Sequence, residues 1–207
     1  MNPSSGTATR KPRKAREVCA PIDLGEEASS LLTDSLGVDD FFLLLRERRL
    51  YADALRVAAY ALPLREAIWW GCLCAWQFYR PQLPAAADHA LKVVVAWVQE
   101  PAEETRREAP TAADRAGLAT PAGALARAVF LSGGSISLPG LPEVSPEPFL
   151  ANKFVAVAVL AASWEAHPKP IAERQQQYLK LATDVGDGRF PWLRPGGPAL
   201  RHNGPIS

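Results

Sequence analysis

The sequence predicts an all-α fold, a single compact bundle of about seven to nine helices that stack as hairpins. First, apolar residues recur at helical spacing through most of the chain, and no stretch alternates apolar and polar residues over the length of a strand. Second, prolines stand where one helical segment gives way to the next, as at Pro63 and Pro81. Third, residues 67–76 carry no charge, which is typical of a helix buried on all sides. This central helix is expected to be the element on which the others pack.

Five helices are predicted in the first half of the chain, each bounded by a start or stop signal. Paired acids open two of them, where they complement the helix dipole, and a basic run closes the second. Proline opens the last two, because Pro63 and Pro84 occupy a first turn without losing a helical hydrogen bond. In order, the predicted segments are an extended lead-in at 18–24 and helices at 26–36, 39–49, 51–62, 63–80 and 84–100.

Four helices are predicted in the second half. The first alternates acids and bases, which indicates an exposed layer, and we expect Pro110 to break or kink it. Thr120-Pro121 has the pattern of an N-cap followed by a first turn. In the last helix, Arg174 and Gln175 are expected to face solvent. The predicted segments are 103–116, 121–131, 149–166 and 170–185.

A long proline-rich loop at residues 132–148 interrupts this series. Loops above ~12–15 residues are uncommon in compact domains, and they tend to be functional or to act as linkers. Apolar side chains stand among its prolines, so we expect the loop to lie along a groove. These side chains are the first candidate partner-binding residues: Ile136, Leu138, Leu141 and Val144.

Both ends of the chain differ from the predicted domain at 17–193. Residues 1–16 hold five bases and no acid, without hydrophobic periodicity, which predicts a disordered basic tail. Residues 194–207 are expected to be flexible. The basic tail supplies the second set of candidate partner-binding residues: Arg10, Lys11, Arg13 and Lys14.

Composition limits the classes of function and location. The 207 residues are 48% hydrophobic and 22% charged, as in ordinary globular domains. Beyond the tail, acids outnumber bases, which argues against a nucleic-acid-binding body. Three cysteines are too few for a disulfide framework and fit a reducing compartment. Without a secretory signal or an apolar run of ~20 residues, the sequence predicts a cytoplasmic protein with no transmembrane segment.

No catalytic, cofactor-binding or metal-binding residues are predicted. Cys72 and Cys74 lie two apart on a helix, about 200° around its axis, so their thiols point apart and are better explained as core. The three histidines are scattered and form no zinc-binding spacing. Ser135 lacks the G-x-S-x-G context of a serine nucleophile.

Three stretches of the chain resemble a known family. They are A-L-P-L-R-E-A-I-W-W-G-C-L-C-A-W, T-P-A-G-A-L-A-R-A-V-F-L-S-G-G-S-I and Y-L-K-L-A-T-D-V-G-D-G-R-F-P-W. Together they resemble an uncharacterised bacterial helical family, a domain of unknown function with a W-W-x-C-L-C helix, over most of residues 15–193. The resemblance implies an accessory, adaptor or chaperone role beside type VI-like secretion genes, and it implies no catalytic residues.

The first functional expectation is therefore a non-enzymatic adaptor, chaperone or scaffold that binds another protein in the bacterial cytosol. A second is a small-molecule-binding or enzymatic helical domain with an aromatic pocket among Trp69, Trp76 and Trp97. A third is a nucleic-acid or anionic-membrane tether that uses residues 10–16.

Overall fold

The computed structural model describes residues 13–164 and 170–190. Within these ranges the chain forms ten α-helices and no strand, which confirms the all-α fold. The helix beyond the nine predicted segments is the first, a five-residue helix near the N-terminus. The helices are α1 (Ala15–Cys19), α2 (Glu26–Ser30), α3 (Val38–Glu47), α4 (Tyr51–Ala61), α5 (Leu64–Tyr79), α6 (Ala85–Gln99), α7 (Glu103–Ala116), α8 (Pro121–Phe130), α9 (Leu150–Trp164) and α10 (Ile171–Gly186).

Helix α5 is the centre of the bundle, as its composition predicts. It packs against α4, α6, α8, α9 and α10, and it buries an unbroken run from Ala67 to Cys72. Trp70 is fully buried, and its indole Nε1 donates to the carbonyl oxygen of Tyr178 on α10 at 2.8 Å. The polar atom of the largest core side chain is thereby paired, as burial requires.

A tight connection joins α7 to α8. Gly117 has φ of +87°, and its carbonyl oxygen accepts from Thr120 Oγ1 at 2.8 Å. Thr120 Oγ1 in turn accepts from the backbone N–H of Gly123 at 3.1 Å, which confirms the predicted N-cap. The two helices approach so closely that a Cβ on Gly123 would lie 2.0 Å from the Gly117 carbonyl oxygen.

The prediction that the disordered basic tail extends to Arg16 is wrong for residues 13–16. Ala15 is fully buried, its N–H donates to Leu36 O at 2.9 Å, and Val38 N donates to Arg13 O at 3.0 Å. These antiparallel backbone bonds hold the segment against the start of α3. Helix α1 begins within this segment, at Ala15, and ends at Cys19, inside the stretch expected to be an extended lead-in.

Helix α2 ends at Ser30, six residues before its predicted end. The hydroxyl of Ser30 donates to Glu27 O at 2.7 Å, and Leu31 N and Leu32 N bond three residues back, to Ala28 O and Ser29 O. Serine favours such local bonds over a continuing α-helix, so the segment tightens and turns.

Of the break or kink expected at Pro110, the break is absent, because α7 is one helix from Glu103 to Ala116. The expectation that Arg174 and Gln175 face solvent is wrong. Arg174 and Gln175 are buried on α10, because they precede Tyr178 and Leu179 by four residues on the same face. Gln175 Nε2 donates to Ser163 Oγ on α9 at 3.4 Å, and this buried hydrogen bond joins the two helices.

The predicted tail at 194–207 lies outside the described residues, as do residues 1–12 of the basic tail. Helix α9 is described to Trp164, short of its predicted end. Of the helices described, none combines the length and apolar character needed to span a bilayer.

Candidate docking surface on the 132–148 loop

The tip of the long loop is a preformed turn. Leu141 N donates to Leu138 O at 3.1 Å across Pro139 and Gly140, and Gly140 has φ of +84°. Proline at the second position and a left-handed glycine at the third are the requirements of a type II β-turn. The turn therefore presents two leucines from its ends.

The base of the same loop is closed by hydrogen bonds between its two arms. Ile136 N donates to Val144 O at 2.8 Å. The hydroxyl of Ser135 accepts from Ser137 N and from Val144 N, each at 3.1 Å. Ser135 thus has a structural role, since its oxygen satisfies two backbone donors of the loop.

A charged cluster on α7 holds this loop to the bundle; we call Glu103, Arg106 and Arg107 the clamp. Arg106 is buried, and its guanidinium donates to the carbonyl oxygens of Phe130 at 2.6 Å and Ser135 at 2.8 Å. Arg107 Nη1 donates to Ser137 O at 2.5 Å. The clamp therefore contacts the backbone on both sides of the glycine pair that opens the loop.

Glu103 completes the clamp by binding both guanidinium groups. Its carboxylate accepts from Arg106 Nε at 2.6 Å and from Arg107 Nε at 2.8 Å. A Cβ on Gly134, where φ is +64°, would lie 3.0 Å from Arg106 Nη2, so a glycine leaves room for the buried guanidinium. Charge-assisted bonds of this kind fix orientation well.

The hydrogen bonds from Arg106 and then Arg107 lower the pKa of Glu103 from its ordinary value of 4.5 to about 2. A lowered pKa in the folded state stabilises that state above the ordinary pKa, and the stabilisation is lost as the pH falls towards about 2. We expect Glu103→Gln to lower the melting temperature at pH 7, and the difference from wild type to shrink between pH 4.5 and pH 2. Circular dichroism melts across this range measure it.

The matched control is Glu104→Gln, because Glu104 is exposed and forms no ion pair among the described residues. It should melt like wild type throughout. A deficit in Glu103→Gln that stays constant down to pH 2 would contradict the assigned role of the carboxylate.

The loop was expected to lie along a groove; it is held to the bundle, but its apolar side chains are not buried in a groove. Leu138 is 72% exposed, Leu141 59% and Val144 50%, and Ile136 is at 36%. Backbone hydrogen bonds and the clamp order the loop instead, so its apolar groups remain free to face solvent. The structure thus brings together all four candidate residues, which we call the loop surface.

Sequence reasoning missed the clamp. The alternating charges of α7 indicated an exposed layer, whereas Arg106 is buried with its charge paired. The spacing of Glu103 to Arg106 and Arg107 is that of helical ion pairs and was visible in the sequence. The carbonyl oxygens that Arg106 binds lie 24 and 29 residues away, which no local pattern indicates.

Of the four basic candidates the structure describes Arg13 and Lys14, and both contact residues outside the loop surface. Arg10 and Lys11 lie outside the described residues. The guanidinium of Arg13 donates to Ala61 O, so it is part of the packing between the N-terminal segment and α4. Lys14 is exposed, with its Nζ 3.4 Å from Ser35 O.

All three cysteines are buried, as predicted for Cys72 and Cys74. Cys72 and Cys74 are fully buried on α5, and Cys19 is buried on α1. Burial raises the pKa of all three thiols, that of Cys19 to about 11.

Since the thiolate is the reactive form, we expect the three cysteines of native protein at pH 8 to be inert to a thiol-reactive disulfide dye. Denatured protein should release three equivalents of the coloured thiol product per chain. A thiol that reacts quickly in native protein would contradict the burial of the cysteines.

The tryptophans proposed to line an aromatic pocket contact one another and the core. Trp69 and Trp97 are buried, and the rings of Trp69 and Trp76 meet edge to face at 5.6 Å. Two clefts of about 690 and 400 Å³ are lined by other residues. Trp164, at the end of α9, differs from these tryptophans because it is 62% exposed.

His89 Nε2 lies 3.9 Å from a carboxylate oxygen of Glu108 on the surface. Within residues 13–164 and 170–190, no three or more side chains of His, Cys, Asp or Glu gather as a metal site would require.

A protein-family model matches residues 41–186, from α3 to the end of α10, and the family it describes is one of unknown function. The matched range includes α5, the clamp and the whole loop surface. Comparisons with curated proteins and with solved structures gave no match.

Proposed function

Because the chain belongs to DUF6931, a family of unknown function, we propose its role from the geometry: a non-enzymatic adaptor, chaperone or scaffold that binds another protein through the loop surface. One observation carries the proposal. Leu138 and Leu141 are held at the ends of a formed turn, on a loop fixed to the bundle, and both are exposed.

The exposure of these apolar side chains and the order of the loop both favour a role in protein binding. An apolar side chain stabilises a fold only when it leaves water, and the apolar groups of this loop stay largely in water. Order in the loop comes from its turn, its base and the clamp. Binding by a preformed segment loses less conformational entropy than binding by a loose one, so the buried leucines contribute more of their transfer energy to affinity.

The test is co-expression with the proteins encoded beside this one, followed by affinity capture. We expect Leu138→Asp combined with Leu141→Asp to abolish capture of a partner that wild type retains. Both side chains are exposed, so the free energy of unfolding should change by less than about 0.5 kcal/mol. Urea titration measures that change.

The matched control is Leu118→Asp, since Leu118 is an exposed leucine in the turn before α8, at the opposite end of that helix from the loop. It should leave capture intact. If the double variant captured the partner as well as wild type does, the loop surface would not be the docking site.

We further propose a bacterial cytosolic setting beside a type VI-like secretion system. The support is the resemblance of three stretches, of which the W-W-G-C-L-C segment is the most specific. Co-purification with structural components of such a system tests it. Capture of partners from an unrelated assembly would remove this setting and leave the loop surface as a binding site.

A further inference from the structure

A second surface of the molecule is a cleft between α3 and α10. Both helices pack on α4 and leave a space of about 400 Å³ between them. Its floor is made by Ala58, Ala61 and Leu62, and the small side chains of the two alanines allow another chain to approach α4 closely. Phe42 and Leu43 form one wall, and Leu43 is 51% exposed.

The cleft continues into a wider section of about 690 Å³, most of whose lining residues are polar or charged. Leu43 and Arg46 line both sections and therefore mark their junction. On α10 the lining runs from Glu173 to Asp187, which is about 20 Å at a helical rise of ~1.5 Å per residue. A groove of that length suits a helix of three to four turns.

Arg46 stands out at the junction. Its guanidinium carbon lies 5.7 Å from the centroid of the Phe42 ring, and among the described residues no carboxylate pairs with it. The other arginine that lines the groove, Arg13, already donates to Ala61 O. A half-buried arginine stacked on an aromatic ring is well placed to take a carboxylate in a bidentate contact.

The other charged residues of the groove differ between its two ends. Beyond the junction, the wider section carries Glu47 and Glu173, while Lys180 is already paired with Asp184 at 2.8 Å. At the other end, Asp39 lies on the rim and Asp187 is paired with Arg189. The middle of the groove thus favours an acid, and the wide section favours a base.

We propose that this groove is a second protein-docking site, which takes an amphipathic helix of a partner. The helix places apolar side chains against Phe42, Leu43 and Leu62, an acidic side chain on Arg46, and a basic one towards Glu47 and Glu173. The groove shares no residue with the loop surface, so one chain has two sites for proteins, as a scaffold requires.

The test uses a displayed library of random peptides of about 16 residues, the length that matches the groove. Peptides selected on wild-type protein should carry apolar residues at helical spacing with an acid on the same face. Selection on Arg46→Glu should replace that acid by a base. A fluorescein-labelled copy of the best wild-type peptide should bind Leu43→Asp and Arg46→Glu about tenfold more weakly or worse, by fluorescence anisotropy.

Leu138→Asp with Leu141→Asp is the matched control, and it should bind the peptide like wild type. Circular dichroism melts should show all variants folded, because Leu43 and Arg46 lie at the surface. Three results would overturn the proposal: no enriched peptide, a peptide that binds Leu43→Asp unchanged, or a peptide lost on the loop variant. The last result would show that the peptide binds the loop surface, so the experiment tests the two sites independently.

Discussion

Replacing Trp70 by alanine is expected to lower the free energy of unfolding by about 3–5 kcal/mol. The side chain is fully buried at the centre of α5, where five other helices pack. Its removal leaves a cavity that the surrounding helices fill only in part, and it removes the indole donor from Tyr178 O. Urea unfolding followed by far-ultraviolet circular dichroism measures the loss.

Two further variants separate the causes of that loss. Trp70→Phe keeps an aromatic ring but lacks the N–H group, so it should lower the free energy of unfolding by less than Trp70→Ala does. Trp164→Ala removes an exposed indole and should cost under about 0.5 kcal/mol. Equal losses at Trp70 and Trp164 would contradict the placement of α5 at the centre.

Replacing Gly123 by alanine is expected to cost about 3 kcal/mol or more, although alanine is the better helix former. The added Cβ would lie 2.0 Å from the carbonyl oxygen and 2.7 Å from the carbonyl carbon of Gly117. Both are backbone atoms, so α7 and α8 must move apart to relieve the overlap. Thermal and urea unfolding of the purified variant test this expectation.

Gly71→Ala is the matched control on the central helix. There the added Cβ would lie 2.4 Å from Leu125 Cδ2, the end of a flexible side chain that can rotate away. The cost should therefore be smaller, about 1–2 kcal/mol. The reverse order of the two costs would show that α7 and α8 are not in backbone contact at Gly123.

Local patterns were enough to predict the fold class and most helix boundaries. Apolar residues on every face of residues 67–76 predicted the buried position of α5, because no other environment suits such a helix. Thr120-Pro121 predicted the start of α8, because an N-cap acts within a single turn. The same kind of pattern indicated that residues 132–148 are a loop and that their apolar side chains are unusual.

Two predictions failed because a distant part of the chain supplies the hydrogen-bond partner. Arg174 and Gln175 look like surface residues in sequence, yet α9 covers them. The segment at 13–16 looks like a disordered tail, yet its backbone is bonded to the residues around the start of α3: Ala15 donates to Leu36 O, and Val38 donates to Arg13 O. In each case the deciding contact joins residues far apart along the chain, and a local window contains only one side of it.

An all-helical bundle, its buried tryptophan–cysteine helix and a proline-rich loop could be predicted from the sequence, because they follow from hydrophobic spacing and backbone chemistry within a few turns. Two features required the folded structure: the loop is held by buried Arg106 with its leucines exposed, and α3 and α10 leave a cleft over α4. The reason is physical: exposure and clefts depend on which helices meet, and that is settled by packing over the whole bundle.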